Sequence, residues 1–308
     1  MAFATSTRQA DNAIPANEPR TLALAGGRKL AWAEYGDPSG APVFVFHGTP
    51  GSRLMYRLAD APARRLGLRL ISPDRPGFGF SDFQPKRKLV DWPGDVAALA
   101  DHLKIERFAV AGVSGGGPYA AASAALLPER VIATALVSPV GPLCPPEGPP
   151  TLPRGEAIFF RSMPHYTLAM TGVFSLSRAL FNAAPDAMFR GLMRRAGPAD
   201  APILSRPEVK ANVLAGVIEG IRPGIRGVVQ EFRLFSEPWN IPFEAIKTPF
   251  LLWQGLADRN VPVSAALHLG ALVPQCRPVR VVGAGHYWIF DHTEEVLGAL
   301  KDSITVAS

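Results

Sequence analysis

Cysteine, long apolar runs, a secretory start and an acidic balance are all scarce or missing in this chain, and each absence closes off a class of protein. Only Cys144 and Cys276 occur in 308 residues, far apart and outside any zinc-type spacing. Neither a disulfide framework nor a metal centre is therefore expected, and the two thiols read as inert. No stretch approaches the roughly 20 consecutive apolar residues needed to cross a bilayer. The opening "MAFATSTRQADNAIPANEPR" lacks the charged start and apolar centre of a secretory signal, which points to a loose polar arm over residues 1–18 and to a cytoplasmic protein. The balance of 32 Lys and Arg against 26 Asp and Glu leaves a formal charge of +6. The basic residues fall in short groups ("PKRK" at 85–88, Arg64 with Arg65, Arg194 with Arg195), interleaved with acids and without an aromatic-rich motif. A nucleic-acid partner is thus not expected, and the extra arginines serve solubility or favour anionic substrates.

What the chain does have is 47% apolar content, ample for a buried core, arranged as short apolar runs alternating with longer amphipathic ones. That rhythm predicts a mostly parallel sheet wrapped by helices. "LALAGG" and "KLAWAEYG" read as an opening antiparallel pair around Gly26 and Gly27. "PVFVFHG" (42–48), "LRLISPD" (68–74), "RFAVAGVS" (107–114) and "VIATALVSP" (131–139) read as strands buried on both faces. Helices are predicted over 51–66 and 89–104, the second with Val96, Leu99 and Leu103 at helical spacing and Asp91 capping its start. The proline-rich "PVGPLCPPEGPPTLPRG" interrupts this pattern, and only helix-like segments follow until about Glu237. Strand-helix alternation resumes at "TPFLLWQG" (248–255), continues through "RPVRVVGAGH" (277–286), and ends in a helix near 288–301. The helical block therefore reads as a lid inserted over the edge where parallel strands end, with a separate helical domain as the alternative. The predicted boundaries are an arm at 1–18, an α/β core at 19–139 and 240–308, and the lid at 140–239.

Within that frame, "GVSGGG" at 112–117 places Ser114 in a G-x-S-x-G stretch that follows a strand and precedes a small-residue helix with Pro118 in its first turn. This is the context of a nucleophile elbow, in which flanking side chains would collide with strand and helix and the next N–H, that of Gly115, points to where negative charge would form. With 29 glycines in 308 residues, chance flanks a serine this way about one time in a hundred, so the motif needs partners. A serine hydroxyl requires a base, and the base an acid that holds its tautomer. Of the six histidines, His286 lies just beyond the last predicted strand in a glycine-flanked loop. Asp258 ends the preceding strand in "WQGLADRNVP", ahead of a helix led by Pro262. Their separation of 28 positions (286 minus 258) accommodates one helix and one strand, so adjacent strands would bring both to the edge that carries Ser114. A plain turn serine at 114 and a helix-capping aspartate at 258 are the competing structural roles.

The order Ser114, Asp258, His286, together with "HGTPG" (47–51) and "DRPGFGFSD" (74–82), resembles the α/β-hydrolase fold superfamily over about residues 20–301. The resemblance implies an α/β fold with a mostly parallel eight-stranded sheet, helices on both faces and an inserted helical cap. It also implies that His47 and Gly48 shape an oxyanion loop and that the Thr49 N–H joins the Gly115 N–H in holding the oxyanion, His47 being structural rather than a base. Asp74 and Asp82 read as loop-stabilising. No cofactor and no metal is implied. The expected activity is that of a serine carboxylesterase on small to medium uncharged esters. The expected partner is a small-molecule ester or related acyl compound; neither nucleic acid nor membrane is expected, and a homodimer is compatible with the chain. C–C bond hydrolases, proline iminopeptidases, thioesterases and lactonases share the same triad, and a hydrolase-fold receptor with little turnover is the non-enzyme alternative. An iminopeptidase needs lid carboxylates, for which Glu156, Glu208 and Glu219 are candidates. Epoxide hydrolases and haloalkane dehalogenases need a carboxylate where Ser114 stands. The lid residues Phe159, Phe160, Met163, Met170, Phe174, Phe181 and Met188 would roof an apolar pocket or form the lid's own core.

Overall fold

A computed structural model describes residues 19–307. The predicted arm at 1–18 lies outside the described residues. Eight strands form one sheet: β1 (Arg20–Ala23), β2 (Lys29–Gly36), β3 (Ala41–Phe46), β4 (Leu68–Pro73), β5 (Phe108–Val113), β6 (Val131–Val137), β7 (Phe250–Gly255) and β8 (Cys276–Val281). Their order is β1-β2-β4-β3-β5-β6-β7-β8, antiparallel at β1-β2 and β2-β4 and parallel from there on. The central β5 (FAVAGV) and β6 (VIATALV) carry no charge because helices cover both their faces. The edge strand β8 (CRPVRV) tolerates Pro278 and two arginines because one side lacks a ladder partner. Gly26 and Gly27, at φ of 86° and 82°, make the β1-β2 turn that a side chain would strain.

Eleven helices accompany the strands among the described residues. Five belong to the core: α1 (Asp60–Arg65), α2 (Trp92–His102) and α3 (Gly117–Leu126), then α10 (Val263–Leu272) and α11 (Ile289–Ala307). One face of the sheet packs on α2, α3 and α10 through Trp92, Leu99, Tyr119 and Leu269; the other packs on α1 and α11 through Ala63, Leu297 and Leu300. The remaining six, α4 (Arg154–Glu156), α5 (Thr167–Ala183), α6 (Pro185–Ala196), α7 (Ala201–Leu204), α8 (Pro207–Gly220) and α9 (Arg226–Phe235), all lie between β6 and β7. They bury a cluster of their own, with Phe189, Leu204, Val213 and Val217 packed around Phe78 of the core.

Local details depart from the sequence expectations for physical reasons. In place of one helix over 51–66, a 3-10 run (Arg53–Ala59) precedes α1, because Pro62 is accommodated only in the first turn of a helix that restarts at Asp60. Asp91 does not cap α2: its carboxylate accepts the Lys88 N–H (2.7 Å) and closes the short 3-10 turn Leu89–Asp91 instead. The last helix extends past 301 to Ala307. The carboxyl ends of β3, β5, β7 and β8 share one edge of the sheet, and the loops that leave them carry His47, Ser114, Asp258 and His286.

Candidate active site

At the end of β5 the backbone turns through Ser114 with φ of 54°, a left-handed conformation that costs a non-glycine residue on the order of 1–3 kcal/mol. The neighbours make the turn feasible by being small. A Cβ on Gly112 would sit 2.4 Å from the Gly116 carbonyl oxygen, and one on Gly116 2.1 Å from the carbonyl oxygen of Phe46. The chain then enters α3 directly, so the N–H groups at the elbow belong to a helix start that lacks intrahelical partners.

His286 Nδ1–H donates to Asp258 Oδ2 at 2.7 Å, which leaves the Nε2 lone pair as the ring's proton acceptor. Burial opposes charge on this imidazole, but Asp258, and less strongly Asp200, outweigh it and raise its pKa above 6.5. For Asp258 burial works upward, while the His286 ring and N–H donors pull harder and lower its pKa. Those donors are the Asn260 N–H (2.7 Å) and the Val261 N–H (3.1 Å) on Oδ1; Gln254 Nε2 adds a contact to Oδ2 at 3.2 Å. Asp258 thus serves its own loop with one oxygen and His286 with the other, rather than capping α10, which starts at Val263.

Ser114 and His286 face a common cavity of about 370 Å³, whose wall also includes Gly48, Thr49 and Gly115. The insertion supplies Phe159, Phe160, Phe174 and Phe181 to the same wall, whereas Met170 and Met188 lie off it. Apart from His286, the charged side chains on the wall are Arg178 and Arg195, the latter with its guanidinium 5.2 Å from the Phe159 ring centroid. None of Glu156, Glu208 and Glu219 lines it, and Glu219 pairs with the buried Arg53 at 2.8 Å.

His47 has both ring nitrogens committed. Nδ1 donates to the Gly48 carbonyl (2.8 Å) and Nε2 accepts the Arg75 N–H (3.2 Å), while burial, aided by the Arg75 charge, drives its pKa well below 6.5. A ring so occupied is structural. Asp74 is fully buried and accepts from the Arg53 N–H (2.6 Å) and Arg53 Nη1 (2.9 Å); Asp82 accepts the Lys29 N–H (2.8 Å), so both hold loops.

Two buried carboxylates that bear on this site, Asp200 and Glu231, were not singled out from the sequence. Asp200, just ahead of α7, accepts the main-chain N–H groups of His286 and Tyr287, each at 2.8 Å, and a Cβ on Gly285 would run into its carboxyl carbon at 2.3 Å. Nothing local marks Asp200, because its partners lie 86 and 87 residues away. Glu231 on α9 is enclosed by Arg75, Arg87, Tyr119 and Thr49, all hydrogen-bonded to it. Burial pushes this carboxyl up, but the two guanidiniums dominate and hold its pKa down to about 2. Its signal was present in the sequence: a glutamate in the stripe Gly227, Val228, Glu231, Leu234, Phe235 that the helix buries.

The sequence profile of the alpha/beta hydrolase fold family matches residues 41–293. The chain belongs to this family. Among curated relatives, it is 38% identical over 117 residues to the dihydrolipoyllysine-residue acetyltransferase component of the acetoin cleaving system of Pseudomonas putida, covering 38% of this chain and 31% of that protein. It is 24% identical over 311 residues to epoxide hydrolase A of Mycobacterium tuberculosis, covering 91% of this chain and 95% of that one. The matched stretches span 31%, 51% and 40% of the first three curated relatives. An alpha/beta hydrolase fold protein from Nakamurella multipartita superposes with a TM-score of 0.70 at 22% identity, over 93% of this chain and 99% of that one. Several of the matched relatives carry hydrolase or lipase names, among them a lipase of Moraxella, alongside the acetyltransferase component and a chloroperoxidase.

Proposed function

We propose that this protein is a serine hydrolase, specifically a carboxylesterase acting on small to medium esters through an acyl-enzyme. The observation that carries this reading is the 2.7 Å bond from His286 Nδ1 to Asp258 in a cavity that also receives Ser114 from its left-handed turn. Ser114 Oγ attacks the acyl carbon as His286 Nε2 takes its proton; the Thr49 and Gly115 N–H groups receive the developing oxyanion. His286 then protonates the leaving alcohol, and water, activated by the same imidazole, cleaves the acyl-serine. The relatives' range includes an epoxide hydrolase, but that chemistry needs a carboxylate at the elbow and this chain has Ser114. A free-amine substrate is disfavoured by a wall that carries arginines and no carboxylate, which weighs against an iminopeptidase. The apolar, aromatic insertion acts as a cap that suits an uncharged ester, and the free thiols Cys144 and Cys276 fit a cytoplasmic site of action.

The test combines a p-nitrophenyl phosphonate probe with steady-state hydrolysis of p-nitrophenyl acetate. Labelling at Ser114 together with turnover, and loss of both in Ser114→Ala, is the expected result. Labelling without turnover would point to a receptor, and wild-type turnover by Ser114→Ala would end the reading.

A further inference from the structure

The Glu231 cluster lies against the proposed oxyanion site, and its hydrogen bonds determine how that site is built. Glu231 Oε1 accepts from Arg75 Nε (2.9 Å), Arg87 Nη2 (3.1 Å) and the Tyr119 hydroxyl (2.7 Å); Oε2 accepts from Arg75 Nη2 (2.8 Å) and from the Thr49 hydroxyl. The Thr49 hydroxyl in turn accepts from Arg75 Nη2 at 3.0 Å. Its single proton is committed to Glu231, so Thr49 has only its main-chain N–H to offer an oxyanion. Arg75 also reaches the loop's backbone: Nη1 donates to the His47 carbonyl and Nη2 to the Gly48 carbonyl at 3.3 Å. The peptide between Gly48 and Thr49 is trans, so a carbonyl held on the His47 and Arg75 side sends the Thr49 N–H out of the opposite side. A Cβ on Gly115 would lie 2.1 Å from Thr49 Oγ1, which means the Thr49 side chain is seated on the elbow glycine whose own N–H is the second donor. Tyr119, on the helix that leaves the elbow, closes the circuit.

We propose that Glu231 is a positioning residue for the oxyanion site: its carboxylate clamps the Thr49 hydroxyl against Gly115 and, through Arg75, fixes the peptide that presents the Thr49 N–H. The proposal rests on the serine-hydrolase reading above, and it assigns to a helix of the insertion a part in transition-state stabilisation that no side chain at the elbow can supply. Glu231 touches no reacting atom and acts through Thr49 and Arg75.

The rate of Ser114 phosphonylation is the appropriate readout, since the phosphoryl oxygen occupies the same donor site and no natural substrate is needed. The final extent of labelling counts correctly folded sites separately from the rate. Glu231→Gln keeps the shape and removes the charge; it is expected to slow phosphonylation, and kcat on p-nitrophenyl acetate per labelled site, on the order of 100-fold, with KM changed less than about threefold. Thr49→Val should show a loss of similar size, Thr49→Ser should recover at least about tenfold of the rate that Thr49→Val loses because the hydroxyl remains, and Glu231→Gln with Thr49→Val together should lose little more than either alone. A purely structural role would lower the labelled fraction and leave the rate per site intact, which would overturn the proposal. If Glu231→Gln does not fold, the contrast between Thr49→Val and Thr49→Ser decides: equal rates per labelled site for the two would overturn it. A wild-type protein that never labels at Ser114 would instead refute the serine-hydrolase reading beneath it.

Discussion

Residues 154–196 and 200–235 are both helical, both inserted between β6 and β7, and both on the cavity wall, yet they meet the core by different means. The second stretch reaches it through polar groups, three of them buried: Asp200 on the His286 loop, Asn212 Nδ2 on the Met55 carbonyl at 2.9 Å and Glu231 on Arg75 and Arg87, joined by the half-buried Glu219 on Arg53. The first is tied by Arg161 to the carbonyls of Leu143 and Pro149, and by Arg178 to the Ile221 carbonyl of the second stretch. Of the large exposed apolar side chains in the insertion, Ile158, Tyr166, Leu168, Val173, Leu176 and Leu180 all belong to the first stretch. The contrast teaches that apolar surface alone does not register an insertion on a core. Hydrogen bonds and ion pairs have direction and length, so they place the loops bearing His286 and Thr49, while the greasy half is left to set the cavity's width.

The sharpest way to break this contrast is Asp200→Ala. The buried His286 N–H and the half-buried Tyr287 N–H lose their acceptor, which should lower stability by about 3 kcal/mol in denaturant titration. The displaced His286 loop should lower kcat/KM for p-nitrophenyl acetate on the order of 100-fold. A loss under tenfold would show that the anchored half does not govern the histidine. In the other half, Phe174→Ala removes a half-buried ring that leans on Phe232 with centroids 5.2 Å apart. It should cost only about 1–2 kcal/mol and raise KM for short acyl esters several-fold while sparing bulkier ones; a kcat collapse of Asp200→Ala size would erase the distinction.

Titration sharpens it further. The base works unprotonated and its pKa is raised, so kcat/KM should climb with pH through a midpoint above 6.5. Protonated His286 correspondingly stabilises the fold below 6.5, and that contribution fades as pH climbs through the raised value. Asp200→Asn removes one of the charges that raise it, the weaker one after Asp258, so the midpoint in kcat/KM should fall. An unchanged midpoint would limit Asp200 to its backbone contacts. The smallest effect belongs to Leu176→Ser on the exposed face of α5: stability within about 0.5 kcal/mol and kcat/KM within about twofold of wild type, read by thermal unfolding and the same assay.

Much of the architecture is legible in residue order because it depends on local periodicity. The uncharged runs of β5 and β6 announce strands covered on both faces, and glycine at 112, 115 and 116 announces the turn that exposes Ser114. Asp258 and His286 were legible because each follows a strand at the edge that carries the elbow. The roles of the carboxylates at 200 and 231 were not. The stripe around Glu231 signals burial but not a partner, nothing local marks Asp200, and the meaning of both depends on groups brought from 86 to 182 residues away. Asp91 shows the converse, a residue with capping chemistry whose actual acceptor role went to the neighbouring turn.

The order of apolar runs, the glycines at the elbow and the placement of Ser114, Asp258 and His286 after strands are properties of the chain itself, since each follows from contacts within a few residues or from the parallel sheet that such runs must form. Which acids of the insertion serve the core, and how the Gly48–Thr49 peptide is oriented, was decided only by the fold. Those outcomes rest on directional bonds between groups distant in sequence, and burying a charge is tolerable only where the fold brings its counter-charges to it.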